Sequence, residues 1–161
     1  MKRIVVLFLT LLTCISFVGC SKKYVTNIES AKISEALQRS IVTDGGYREP
    51  SERFMTINIG VPEHYIKDYR IIVAKDDVNQ NEIGVFRANT KNDAKEIAKY
   101  CRKYLDNEIA NYNPDYNPDE AVKLQNAVVN VFGIYVIYTI LSTDDTDYAL
   151  IVIDNLISEG L

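Results

Sequence analysis

The chain has 161 residues, with 18 Lys and Arg against 22 Asp and Glu, a formal charge of −4 at pH 7. That length is room for one domain with a full core. The acidic balance excludes the clustered Lys/Arg surface that neutralises phosphates, so no nucleic-acid partner is expected.

Residues 1–19 read as a signal peptide. Lys2 and Arg3 make a basic start, and Ile4 to Phe17 is a nearly unbroken apolar run. Such a run makes roughly 21 Å of helix, whereas a permanent span needs roughly 20 apolar residues. It therefore suits a signal-peptide core. Phe17-Val18-Gly19-Cys20 resembles the lipobox of bacterial lipoproteins, with Phe17 where leucine is usual. The resemblance implies that the Cys20 sulfur is acylated and that cleavage leaves Cys20 as the new N-terminus. The thiolate is the nucleophile that this chemistry needs. The expected address is the extracytoplasmic face of the cell membrane, with the lipid bilayer as a partner through the Cys20 anchor. Ordinary secretion and an uncleaved anchor are the alternatives. Residues 20–25 then form a lipidated cysteine and short tether, in which Lys22 and Lys23 lie near headgroups, and 26–161 form a single globular domain. Without Lys2 and Arg3, 16 basic side chains face 22 acidic ones, a balance of −6.

Thr26-x-x-Glu29 has the form of a capping box. Ile33, Leu37 and Ile41 follow at helical spacing, and Thr43-Asp44-Gly45-Gly46 ends that helix. Residues 43–54 read as the longest irregular stretch, Met55 to Ile59 as a short extended piece, and Pro62 to Tyr69 as a brief helix. Arg70 to Lys75 and Glu82 to Ala88 read as a hairpin across a polar turn. Thr90-x-x-Asp93 caps a long helix to about Tyr112, with Ala94, Ile97, Ala98, Cys101, Leu105 and Ile109 on one stripe. The tandem Tyr112-Asn-Pro-Asp115 and Tyr116-Asn-Pro-Asp119 leads to a short helix with Pro118 in its first turn. Val128 to Phe132 and Ile134 to Leu141 form a second hairpin about Gly133, the latter strand apolar enough to be central and covered. Thr143-Asp144-Asp145 starts a last helix with Ala149, Leu150, Ile153, Leu156 and Ile157 inward.

Strand, turn, strand and capped helix thus occur at 70–112 and again at 127–158. The predicted class is α+β: a four-stranded antiparallel sheet from two strand-strand-helix units, helices on one face, plus an N-terminal helix.

Three cysteines are present. Cys14 leaves with the signal and Cys20 is spent on lipid, so Cys101 is alone and no internal disulfide forms in the mature domain. Cys101 reads as a half-buried core residue rather than a reactive thiol, despite Arg102 and Lys103. The single histidine, His64 beside Glu63, reads as a surface residue. A histidine base needs a nucleophile and an orienting carboxylate in reach. No G-x-S-x-G, CxxC pair, HExxH, phosphate loop or EF-hand loop occurs. Asp144, Asp145 and Asp147 read as a helix cap rather than a calcium site. Asp115 and Asp119, with Asn113 and Asn117, read as turn residues. No catalytic residue, metal or cofactor is assigned. Tyr100, Tyr104, Tyr112, Tyr116, Tyr135, Tyr138 and Tyr148 read as rimming the core with hydroxyls in water, and as the best binding lead if they form a patch.

Ile83-Gly-Val-Phe-Arg-Ala88, Asp93-Ala94, Tyr116-x-Pro118, Leu124-x-Asn126-Ala127-Val128-Val129 and Gly133-x-Tyr135-Val136 together resemble a family of small lipoproteins of Gram-positive bacteria. That family is known only as a domain of unknown function. The resemblance covers roughly residues 30–158. Ile134 stands where the family usually has asparagine. The resemblance implies the fold and the address, and carries no activity.

The expected function is a membrane-tethered, non-enzymatic binding module whose partner is an envelope protein or glycan. A carboxylate-dependent envelope enzyme and a structural subunit of an envelope complex are the alternatives.

Overall fold

The computed structural model describes residues 23–158. The signal segment, the Cys20 junction and Gly160, where the sequence ends the last helix, lie outside the described residues. In chain order the elements are α1 (Ser30–Ser40), β1 (Tyr47–Arg48), a π-helical turn (Met55–Ile59), a 3-10 turn (Glu63–Tyr65), β2 (Ile66–Ala74), β3 (Glu82–Ala88), α2 (Lys91–Asn111), α3 (Pro118–Gln125), β4 (Val128–Phe132), β5 (Tyr135–Ile140) and α4 (Thr143–Ile157). The class is α+β. All pairings are antiparallel, in the order β1-β2-β3-β5-β4.

The sheet has five strands, not four, because Tyr47 and Arg48 pair with Ala74 and Val73 inside a stretch that reads as irregular. The predicted helix from Pro62 shrinks to a three-residue turn. β2 begins at Ile66, which pairs with Ala88, and after a register shift Asp68 stands opposite Arg87 on β3 and bonds to it. Met55–Ile59 is helical rather than extended, and closes at Gly60, whose φ of 72° lies in the left-handed region that glycine tolerates.

The helices cover both faces of the sheet, which corrects the one-face expectation. β3 and β5 are buried along their whole length, so both alternating sets of side chains need cover. Phe86, Ala88, Val136, Tyr138 and Ile140 pack under Ala94, Ile97, Ala98 and Cys101 of α2 and Leu124 of α3. Ile72, Ile83, Val85, Tyr135 and Ile137 pack on the other face, under Ile33 and Leu37 of α1 and Ala149, Ile153 and Ile157 of α4. The two strand-strand-helix units therefore send their helices to opposite faces. Each full burial of a large apolar side chain contributes about 1.5–3 kcal/mol.

The helix starts obey local chemistry. Asp93 N–H donates to Thr90 Oγ1 at 3.1 Å, as the capping pattern predicts. α4 is capped one residue earlier than expected, by Ser142, whose Oγ accepts from Asp145 N–H at 3.2 Å. α1 starts at Ser30 rather than at a Thr26 box. The preceding segment is held instead by Tyr135, whose hydroxyl accepts from Ile28 N–H at 3.0 Å and donates to Ile28 O at 2.9 Å. Val25 N–H donates to Ile157 O at 2.8 Å, and Tyr24 bridges to Ser158, so the chain is pinned from Tyr24 onward. On α4, Leu156 faces partly outward at 37% exposure, and Ile109 on α2 likewise at 39%. Among the described residues no helix is long and apolar enough to cross a membrane.

Candidate functional site

The most unusual polar group of the interior is Glu82, the first residue of β3. Its neighbour along the same face is Gly84, which stands opposite Tyr138 of β5. A Cβ at Gly84 would lie 2.0 Å from Tyr138 Cε1, so only glycine leaves room for the ring. With the ring over Gly84, the Tyr138 hydroxyl donates to Glu82 Oε1. Tyr104, from α2, brings its hydroxyl to 3.1 Å from both carboxylate oxygens. The two tyrosine rings meet edge to face at 5.7 Å, and Phe54 closes on Tyr104 at 5.9 Å.

Burial disfavours the charged carboxylate and pushes Glu82 up to about 7, against the pull of the Tyr138 and Tyr104 hydrogen bonds; Glu108 adds a smaller upward push. Burial also drives the Tyr138 and Tyr104 phenols upward, with Glu82 second. The cluster is one carboxyl and two phenols that stay protonated, and it can hold or release one proton near neutrality.

The turn before Glu82 is tied down from several sides. Gln80 N–H donates to Glu120 Oε2 at 2.7 Å, and Lys123 Nζ lies 2.8 Å from Glu120 Oε1 and 3.2 Å from Asn79 Oδ1. Thr43 Oγ1 accepts from Asn79 Nδ2 at 2.9 Å. With Arg48, Ser51, Phe54 and Asp76, this turn and Glu82 line a cleft of about 350 Å³.

A second ionic group, with Arg87 buried and Asp68 half-buried, lies on the opposite face. Arg87 Nε donates to Asp68 Oδ2 at 2.6 Å, and its Nη2 donates to the same oxygen. Ser30 N–H donates to Asp68 Oδ1 at 2.9 Å. Burial opposes the Asp68 charge, but the Ser30 and Arg87 hydrogen bonds outweigh it and hold the carboxyl below its usual range. This pair fastens α1 to the sheet.

The residues weighed from sequence do not converge. Cys101 is fully buried, and burial pushes its thiol up to about 12, far from a reactive thiolate. His64 is exposed on the 3-10 turn, its ring 4.1 Å from that of Tyr65. Asp145 serves the α4 cap, and Asn113 Oδ1 accepts from Asp115 N–H at 3.1 Å in a turn. Tyr104, Tyr135 and Tyr138 are buried with bonded hydroxyls, contrary to the rim expectation, while Tyr116 and Tyr148 are exposed. Among the described residues no group of three or more His, Cys, Asp and Glu is placed to hold a metal ion. Glu82, Asp68 and Arg87 escaped notice in the sequence. A glutamate and an arginine bounding the apolar Ile83–Phe86 run were the available signal.

A family model for a domain of unknown function, DUF4358, matches residues 48–141. The chain belongs to the DUF4358 family. The matched span runs from the end of β1 through β5 and contains Glu82, Gly84, Tyr104 and Tyr138. α1 and α4, which cover the opposite face of the sheet, lie outside the DUF4358 match. The matched residues are fewer than the roughly 30–158 of the resemblance read from the sequence. No curated protein and no solved structure matches the chain.

Proposed function

We propose that the chain is a lipid-anchored, non-enzymatic binding module of the cell envelope, held through Cys20 on the extracytoplasmic face of the membrane. The observation that carries the non-enzymatic reading is the state of Glu82: where it meets the cleft, its carboxylate oxygens are already hydrogen-bonded to two tyrosine hydroxyls. A carboxylate-dependent enzyme needs an acid and a base open to substrate, and Glu82 has no second carboxylate hydrogen-bonded beside it. The pinned Tyr24 supports the tether: the chain from Cys20 to Tyr24 reaches about 14 Å at 3.3–3.6 Å per residue, so the domain rides close to the bilayer. Its partner is an envelope protein or glycan.

Affinity capture from native membranes with Cys20 intact, followed by residue-level mapping of the captured partner, tests the binding role. A reproducible partner on a mapped surface supports it. Hydrolase activity of the purified protein, lost on substitution of one carboxylate, overturns it. For the anchor, Cys20→Ser is expected to stop lipid labelling and membrane retention. Unchanged membrane association would refute it.

A further inference from the structure

The two edges of the sheet are built differently. At one edge β1 is only two residues long. Arg48, Lys67 and Arg70 carry charge along that side, with Arg48 paired to Asp77 and Arg70 to Glu49. Short, charged edges of this kind resist adding another strand. At the other edge, β4 reads Val-Val-Asn-Val-Phe, with no charge and no proline. None of its five residues is buried, and Val131 is 40% exposed.

The hydrogen-bond alternation of the ladder shows which groups of β4 are free. Ala88 N–H donates to Ile134 O at 2.8 Å, which sets even-numbered β5 residues bonding toward β3. Odd-numbered Tyr135, Ile137 and Thr139 then bond toward Phe132, Asn130 and Val128. The N–H and C=O of Val129 and Val131 therefore point away from the sheet. Among the described residues no hydrogen bond reaches them.

We propose that β4 is a homodimer interface, in which two copies of the chain pair β4 with β4 antiparallel about a two-fold axis at Asn130, extending the five-stranded sheet into one of ten. In that register Val129 of each copy stands opposite Val131 of the other as a hydrogen-bonded pair. Each of the outward groups finds a partner in one step. A second copy matches the strand itself, whose five residues carry no charge and meet their own kind in this register, while Lys91 and Lys95 of α2 flank the edge beside Val131. Between the two β4 strands themselves no like charges meet, and valine packs against valine. Such an isologous contact closes on itself rather than growing into a fibre.

Strand pairing alone buries less than the roughly 800 Å² per partner of a standard interface. The rest has to come from outside the strand, and α4 is the helix that belongs to the same cluster as Phe132 of β4. On that face α1 packs over β2 and β3 and against α4, and Phe132 packs against the cluster that holds Ala149, Ile153 and Ile157 of α4. α4 exposes Ile151 at 57% and Tyr148 at 50%. The proposal is independent of the lipid anchor and of the binding role.

Asn130 faces its own copy at a non-hydrogen-bonded position, where Cα atoms lie about 4.5 Å apart, within disulfide reach. The test is Asn130→Cys in the full chain, oxidised in the membranes of the expressing cells and run on a non-reducing gel. A covalent dimer is expected, at least tenfold above that from Tyr116→Cys, an exposed control at 71% exposure, and above the wild-type chain, which accounts for Cys14 and Cys20. Adding Val131→Pro removes only an outward N–H and leaves the bonds to β5, so it is expected to abolish the cross-link with circular dichroism unchanged. Val131→Lys repeats the test without a proline. Cross-linking no stronger than the control, cross-linking to a different protein, or a dimer that survives both Val131 substitutions in folded protein would overturn the proposal.

Discussion

Glu82 makes the stability of this domain depend on pH in a direction opposite to most buried carboxylates with ionic partners. Its folded value, about 7, lies above its ordinary 4.5, so the folded chain holds a proton that the unfolded chain has lost. Between those values stability falls as pH rises, by on the order of 3 kcal/mol for a shift of this size. Burial raises Glu108 too and works in the same direction. Asp68 is held below its ordinary 3.8, so its contribution disappears only as pH falls through its lowered folded value. Urea midpoints are therefore expected to drop from about pH 5 to about pH 8. Glu82→Gln keeps the shape and a hydrogen-bonding head but cannot ionise. It should flatten most of that drop and exceed the wild type in stability at about pH 8. An unchanged slope in Glu82→Gln would show that another group carries the dependence.

At the scale of elements, a single proline decides how far the first edge runs. Lys75 N–H donates to Gly46 O at 2.9 Å, and Arg48 stands opposite Val73. Continuing this register puts Pro50 opposite Ile71 at the next hydrogen-bonded position, where proline has no N–H to give. β1 therefore stops at Arg48. Pro50→Val is expected to lengthen β1 and give Ile71 a ladder partner, slowing exchange of the Ile71 amide about tenfold, or ~1 kcal/mol of local protection. Exchange that stays at the wild-type rate would assign the end of β1 to the Glu49–Arg70 ion pair instead. This also explains why β1 was invisible in the sequence. Two residues have no period, and Gly45, Gly46 and Pro50 on either side are loop formers. The hairpins were legible because Arg70–Ala74, Glu82–Ala88, Val128–Phe132 and Tyr135–Ile140 are β-rich runs bounded by turn residues. α2 was legible because one stripe and one cap agree.

At the scale of the whole molecule, the face on which each helix packs was not legible. The periods of α2 and α4 say that each buries a stripe, and nothing in either sequence says which side of the sheet receives it. The Glu82 cluster escaped for a related reason: Glu82, Tyr104 and Tyr138 come from three elements and meet only because Gly84 makes room for a ring from the neighbouring strand. The two-faced architecture has a consequence for the DUF4358 span. Residues 48–141 keep the sheet, apart from Tyr47, together with α2 and α3, but lose α1 and α4. Ile72, Ile83, Val85, Tyr135 and Ile137, all buried in the full domain, then face water. At about 1.5–3 kcal/mol for each large side chain, the loss approaches the roughly 5–15 kcal/mol that holds a whole domain together. Asp68 also loses Ser30, and Tyr135 loses Ile28. The excised span 48–141 is therefore expected to lack a cooperative thermal transition and to bind a hydrophobic dye, while residues 23–158 melt cooperatively. If the excised span instead melts in one sharp transition with dispersed amide resonances, α1 and α4 are additions to a self-sufficient core rather than half of it.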